Sequence, residues 1–165
     1  NKEKTIVIVS GHLPSYREIT LAGLTIEGWK SMGFDVCITS HTPIPPELQK
    51  ASKYSIYTDE NIKTEWPLDA GMFVTHWGSN FKYSSNFGNQ ISNYSIAILL
   101  NLKNALTMLK DKGYTNFIFG DNDALFDRED GELLFSHMRE SNFEELDFFG
   151  YKEGHMMVVS SFFCR

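Results

Sequence analysis

The tightest constraint on the fold lies in the opening segment. Residues 5–9, Thr-Ile-Val-Ile-Val, are a β-branched apolar run, the pattern of a strand buried on both faces. Ser15 and Glu18 then stand at capping-box spacing, which opens a helix. Ile19, Ala22, Ile26 and Trp29 follow at intervals of 3, 4 and 3, the period of one helix face. Gly33 falls where a helix C-terminal glycine belongs, and 34–39 predicts a second strand. A strand, a helix and a strand joined this way predict a βαβ unit with a parallel pair and a right-handed crossover.

The pattern continues along the chain. Residues 40–46 form a loop with three prolines, 47–53 a short helix and 54–57 a third strand. From 62 to 88 there is no clean period, but six aromatic residues, Trp66, Phe73, Trp77, Phe81, Tyr83 and Phe87, mark a packed, functional segment. The clearest helix is predicted over 90–112, where Ile91, Tyr94, Ile98, Leu102, Ala105 and Leu109 keep helical spacing before Gly113. Residues 117–119 predict a short apolar strand, 129–140 a further helix, and 147–151 and 156–164 two late strands. Strands alternating with helices predict an α/β sandwich around a mostly parallel sheet. Ligands of such sheets bind beyond the carboxyl ends of the strands. The loops at 10–14, 40–46, 58–61 and 120–123 are therefore expected on one edge.

Composition narrows the function classes. The 165 residues are 42% apolar and 22% charged, values of an ordinary globular domain, and the length suits a single one. A net charge of −6 gives no overall attraction to nucleic acid or an anionic membrane. The longest apolar run, 96–100, is far short of the ~20 residues that span a bilayer. There is no signal-peptide pattern. The chain starts at Asn1 rather than Met, as expected of a segment from a longer protein. Cys37 and Cys164 both sit in apolar runs and read as buried thiols, which suits a reducing, cytoplasmic setting.

The residues with most chemistry are Asp121-Asn122-Asp123, directly after the 117–119 strand. A bare Asp-x-Asp is expected by chance roughly 0.6 times in a chain this long, so its placement gives it weight. Residues i and i+2 of an extended segment face the same way, and both carboxylates can then meet at the sheet edge. At 4 Å they would repel by about 4 kcal/mol at an effective dielectric near 20. A divalent cation offsets that repulsion, and oxygen donors favour Mg2+ or Mn2+. Such an ion can bridge to a diphosphate and take up charge on a leaving diphosphate. The alternative is a pair of loop aspartates that caps the next helix.

The run Phe117-Ile118-Phe119-Gly120-Asp121-Asn122-Asp123 resembles the apolar strand and DxD motif of GT-A glycosyltransferases. The segment from Asn89 onward is similar to the helix before that strand, and the opening strand with its Ser/Gly/Pro loop is similar to the family's first nucleotide-contacting loop. The resemblance implies a GT-A-like, Rossmann-like sandwich and a nucleoside-diphosphate sugar donor, with transfer of the sugar to a glycan or small hydroxyl acceptor. It implies Asp123 as metal ligand, with Asp121 touching the metal or the donor ribose. Ser10, Gly11 and His12 would line the nucleotide pocket, with Ser40 and Asp59 as weaker candidates. Gln90 and Asn93, three apart at the start of the 90–112 helix, would hydrogen-bond the base or ribose, or else cap the helix.

The sequence also departs from the family pattern. Many inverting members carry an Asp pair after the second strand, where this chain has Ser40-His41-Thr42-Pro43. The acceptor-binding half and catalytic base lie well downstream of the motif, and only 42 residues follow Asp123, so that half is expected to be incomplete. Glu153 as a base and His155 as a third metal ligand are candidates in the late polar loop; each also reads as a plain surface residue. Two rival readings remain at this stage. One is a non-catalytic nucleotide- or sugar-binding module of the same fold. The other is a Mg-dependent phosphatase of the haloacid-dehalogenase type, whose motif usually ends the first strand. The glycine fingerprint of dinucleotide enzymes and the GxSxG elbow of α/β-hydrolases are both missing.

Overall fold

The computed structural model describes residues 4–59, 64–67, 90–93, 95–122, 125, 129, 131–133, 136, 148–153 and 156–164. Strand β1, Thr5–Gly11, leads into helix α1, Tyr16–Ser31, and strand β2, Asp35–Ser40. Ser15 is the N-cap of α1: its hydroxyl accepts from the Arg17 amide and donates to the Glu18 carboxylate. The capping pair thus forms with Glu18 bonded to the serine side chain. Gly33, with φ of 85°, ends the helix in a left-handed conformation that only glycine adopts without strain. Helix α2, Pro46–Ala51, begins on a proline, whose missing amide hydrogen is no loss in a first turn. Strand β3, Tyr54–Tyr57, follows.

Two short strands, β4, Thr64–Pro67, and β5, Gln90–Asn93, pair antiparallel. Helix α3 runs over Ser95–Asp111 and is followed by Gly113 at φ of 90°. Strand β6 is Asn116–Asp121, β7 is Phe148–Glu153 and β8 is Met156–Cys164. Residues 129, 131–133 and 136 are helical, within the predicted 129–140 helix. By contacts along the chain there are two compact units: Asn1–Asp59 with Asn101–Arg165, and Glu60–Leu100. No helix among the described residues is long and apolar enough to cross a membrane.

The first unit is built on a six-stranded sheet in the order β3-β2-β1-β6-β8-β7. Strands β3, β2, β1 and β6 are mutually parallel. Strand β8 runs against both β6 and β7, so β7 points the same way as β6. The architecture is α/β with a mostly parallel sheet, compatible with a Rossmann-like fold. Alternation along the strands separates two apolar layers. Val7, Val9, Val36, Ile38 and Ile118 pack with Ala22, Ile26 and Trp29 of α1 and Leu48 of α2. Ile6, Ile8, Cys37, Phe117 and Phe119 pack with Ala105 and Leu109 of α3. Burying each such aliphatic side chain contributes about 1.5–3 kcal/mol, and together the layers fix which strand ends meet at which edge.

One expectation is overturned. Gln90 and Asn93 do not open the long helix; they bound β5, where Gln90 pairs with Pro67 and Asn93 with Thr64. The helical-spacing argument for them therefore lapses. Its physical cause is non-local: residues 90–93 fit a helical period, but their backbone groups pair across to β4, and the helix begins only at Ser95. The 62–88 stretch likewise contains a strand, β4, and its remaining residues lie outside those described. Smaller differences are extensions: β1 runs on to Gly11, and β6 from Asn116 to Asp121.

Candidate functional site

The parallel strands bring their carboxyl ends to one edge. There the register places Ser10 between Asp121 of β6 and Thr39 of β2, and Ser40 between Gly11 of β1 and Tyr57 of β3. By alternation Ser10, Thr39 and Asp121 continue the face that packs on α3, while Gly11 and Ser40 continue the face toward α1. Asp121 is exposed at the edge, as are His12 and Asp59. The grouping expected of the loops after β1, β2, β3 and β6 is therefore present in the backbone.

The turn after β6 is held from two directions. The Asn122 amide donates to the Ser10 carbonyl at 3.2 Å, and the Asn122 carbonyl accepts from the Thr25 hydroxyl of α1 at 3.1 Å. The Asn122 side chain lies against Gly11. A Cβ on that glycine would stand 2.6 Å from Asn122 Cγ and 2.7 Å from its Cβ, closer than such atoms ever approach. Gly11 thus acts as the spacer that lets this turn close on β1.

The loops after β1 and β2 are tied by hydroxyls. Ser40 Oγ accepts from the Thr42 amide at 3.0 Å and bonds Thr42 Oγ1 at 2.9 Å. Thr42 Oγ1 in turn accepts from the Leu13 amide at 2.9 Å. Ser40 is fully buried, so its hydroxyl serves this internal turn. The Thr58 amide donates to the Ser40 carbonyl at 3.1 Å, which brings the start of the loop after β3 into the same network.

Behind the edge, α3 contributes a polar layer. Asn101, 0% exposed, places Nδ2 at 3.0 Å from His41 Nε2, and Asn104 donates to Thr58 Oγ1 at 3.4 Å. Burial lowers the basicity of the His41 imidazole; the Thr58 backbone acts the other way, and His12 adds a smaller repulsion. Thr39 Oγ1, His41 Nδ1 and Asn101 Oδ1 are buried without a hydrogen-bond partner among the described residues.

The remaining candidates divide by place. Glu153 ends β7, opposite Met156 on β8. Phe119 of β6, Phe162 of β8 and Gly150 of β7 stand in one row; from it Asp121 is two residues on along β6 and Glu153 three along β7, past a register shift between Gly150 and Tyr151. Glu153 therefore ends at the same edge of the sheet as Asp121, two strands away from it in the order β6-β8-β7. Asp123 and His155 lie outside the described residues. Among the described residues no group of three or more His, Cys, Asp or Glu side chains could hold a metal ion. Of the two aspartates read as metal ligands, Asp121 is the one among the described residues.

Sequence reasoning missed Thr25, Thr42, Thr39 and Asn101. For Thr25 a signal was present: it stands on the buried face of α1 beside Ala22, Ile26 and Trp29, where a hydroxyl needs a partner. Thr42 and Asn101 gain theirs only through tertiary contacts.

No family model matches the chain, and neither a curated protein nor a solved structure does.

Proposed function

We propose that this chain is the nucleotide-sugar-binding part of a metal-dependent glycosyltransferase of GT-A type. Asp121 and Asp123 hold Mn2+ or Mg2+ against the diphosphate of a nucleoside-diphosphate sugar. The sugar passes to a glycan or small hydroxyl acceptor in a reducing, cytoplasmic setting. The bound ion supplies Lewis-acid stabilisation to the departing diphosphate. Ser10 and His12 stand at the edge where the nucleotide binds, and Asp59 flanks it from the loop after β3.

The observation that carries this reading is the position of Asp121. It is an exposed carboxylate at the carboxyl end of a parallel strand, in register with Ser10 at the tip of β1. Anionic ligands of α/β sheets are met at this edge, and an acidic group there accepts a diphosphate only through a cation.

A thermal-shift panel of nucleoside diphosphates, each with and without Mn2+, tests the proposal. A ligand at about 100 times its dissociation constant adds ~2.7 kcal/mol of stability. A Mn2+-dependent rise in Tm with one diphosphate, lost in Asp123→Ala, is expected. Slow Mn2+-dependent hydrolysis of the matching sugar donor, also lost in Asp123→Ala, separates an enzyme from a binding module. Shifts that ignore both the metal and the substitution would rule the site out.

A further inference from the structure

The side chains of His41 and Asn101 meet at 3.0 Å, ring Nε2 to amide Nδ2, and their chemistry makes the contact one-way. An amide nitrogen only donates, so Nε2 must hold a lone pair and the ring must be neutral. Its one proton then sits on Nδ1, and the Thr58 backbone favours a proton on the ring. An imidazolium donates from both nitrogens, so protonation sets the Nε2 hydrogen against the amide hydrogens. Turning the amide over is no escape. Asn101 is 0% exposed, and its Oδ1 has no hydrogen-bond partner among the described residues. A flip exchanges one buried orphan for another and still leaves a partly buried cation.

The contact joins two elements. His41 follows β2, and Asn101 belongs to α3. The loop after β2 is in turn tied to the loop after β1, since Thr42 Oγ1 bonds Ser40 Oγ and accepts from the Leu13 amide. The groups around the ring favour the neutral form. His12, after β1, opposes a proton on it. On α3 the neighbours of Asn101 along its face are Asn104 and Ala105, and Lys103 is exposed. Asp59 after β3 and Asp121 at the end of β6 are also exposed, and no carboxylate among the described residues acts on the ring.

We propose that His41 and Asn101 form a proton-sensitive latch: the neutral imidazole joins the loop after β2 to α3, and protonation in mild acid releases it and loosens the loops after β2 and β1. The inference is independent of what the edge binds. Histidine is the side chain whose charge changes in this range. Burial holds this imidazole below its ordinary value of 6.5, so the latch is whole above that value and is lost as pH falls through the folded one.

The test is nuclear magnetic resonance of the isotope-labelled full chain from pH 8 to pH 5. It reads the His41 tautomer and titration, with amide exchange at Leu13 and Thr42 divided by the intrinsic rate at each pH. The expected result is an Nδ1–H tautomer at pH 8 and a His41 titration below 6.5. Protection at Leu13 and Thr42 falls over the same range, about tenfold for each unit between the proton affinities of the latched and released ring. His41→Gln, which does not titrate, keeps that protection level. In Asn101→Asp the carboxylate accepts from a ring Nε2–H, so His41 titrates above 6.5 and protection is greater in acid. An Nε2–H tautomer in the unsubstituted chain overturns the latch, as does a His41 titration that Leu13 and Thr42 do not follow. Acid loosening that persists in His41→Gln assigns it to another group, and this comparison decides alone where Asn101→Asp does not fold. A folded Asn101→Asp with the His41 titration unmoved also overturns the pairing.

Discussion

Thr39 Oγ1 lies in the sheet layer next to Ser10, 0% exposed and without a hydrogen-bond partner among the described residues. An unsatisfied buried hydroxyl costs about 1–3 kcal/mol, and a shape-matched apolar group avoids it. Thr39→Val is therefore expected to raise Tm by about 2–4 °C per kcal/mol recovered, read by calorimetry. A fall in Tm would show instead that the hydroxyl is bonded in solution, as through a buried water. Gly11 makes the opposite case. Gly11→Ala drives a methyl into the Asn122 side chain and should cost about 1–3 kcal/mol as overpacking. Asn122→Gly in the same chain should return most of that loss, so the double-mutant cycle gives a coupling energy well above zero. At this scale the sequence was half legible. Gly11 drew attention through the resemblance of its loop to a nucleotide-contacting one, yet its role depends on a residue of a distant strand end that no local pattern reveals. Ser40 was singled out as following a strand, and its hydroxyl turns inward to Thr42.

The elements are fastened at the edge opposite Asp121. Asp35, at the start of β2, accepts from Lys53 Nζ at 2.7 Å and from the Tyr114 hydroxyl at 2.6 Å. Lys53 precedes β3 and Tyr114 precedes β6, so one carboxylate ties three strand starts. The ammonium also lies 5.7 Å from the Tyr114 ring centre, and the Tyr54 and Tyr114 rings meet edge to face at 6.2 Å. Burial alone would raise the Asp35 carboxyl; the bonds from Lys53 and Tyr114 outweigh it and hold it below its usual range. Burial and then the bond to Asp35 push the Tyr114 phenol up to about 12. Because the folded carboxyl binds protons less readily than the unfolded one, its contribution is whole above the unfolded value near 4 and is lost as pH falls through the folded value. Asp35→Asn should lower Tm by a few degrees at pH 7, modestly because the pair is partly exposed, and the gap should close as both chains are taken toward pH 2. A gap that persists at acid pH would mean that packing rather than charge supplies the clamp. The elements themselves were largely legible, since their signals are local: Ser15 with Glu18, Gly33, Gly113 and the apolar runs lie within a few residues of the structure they specify. β5 was not, because residues 90–93 satisfy a helical period and become a strand only by pairing with β4.

Over the whole molecule the sheet is graded in burial. Ile6, Val7, Ile8 and Val9 are each 0% exposed, and β1 pairs on both sides, with β2 and with β6. Strand β3 pairs with β2, no strand among the described residues covers its other side, and its residues alternate between half-buried and exposed. That gradient follows from composition: a five-residue β-branched run excludes water from both faces, whereas Tyr54-Ser55-Ile56-Tyr57 offers one apolar face. Hence the α/β class and the parallel core could be read from the chain. The reversal of β8 between β6 and β7 could not, because an apolar run at 156–164 carries no direction. The same gradient governs local opening. Free energies of opening run from near zero at edges to the global value in the core, and an amide exchanges with solvent only once its strand opens. Hydrogen exchange at neutral pH should therefore protect β1 most, β6 and β2 next and β3 least, with β1 approaching the stability measured by denaturant. Addition of Mn2+ with a bound nucleoside diphosphate should slow exchange at the carboxyl ends of β1 and β6, where Ser10 and Asp121 sit side by side, more than at β3. Uniform protection across β1, β2, β3 and β6 would mean that the sheet opens as one unit and that ligand at this edge stabilises all of it alike.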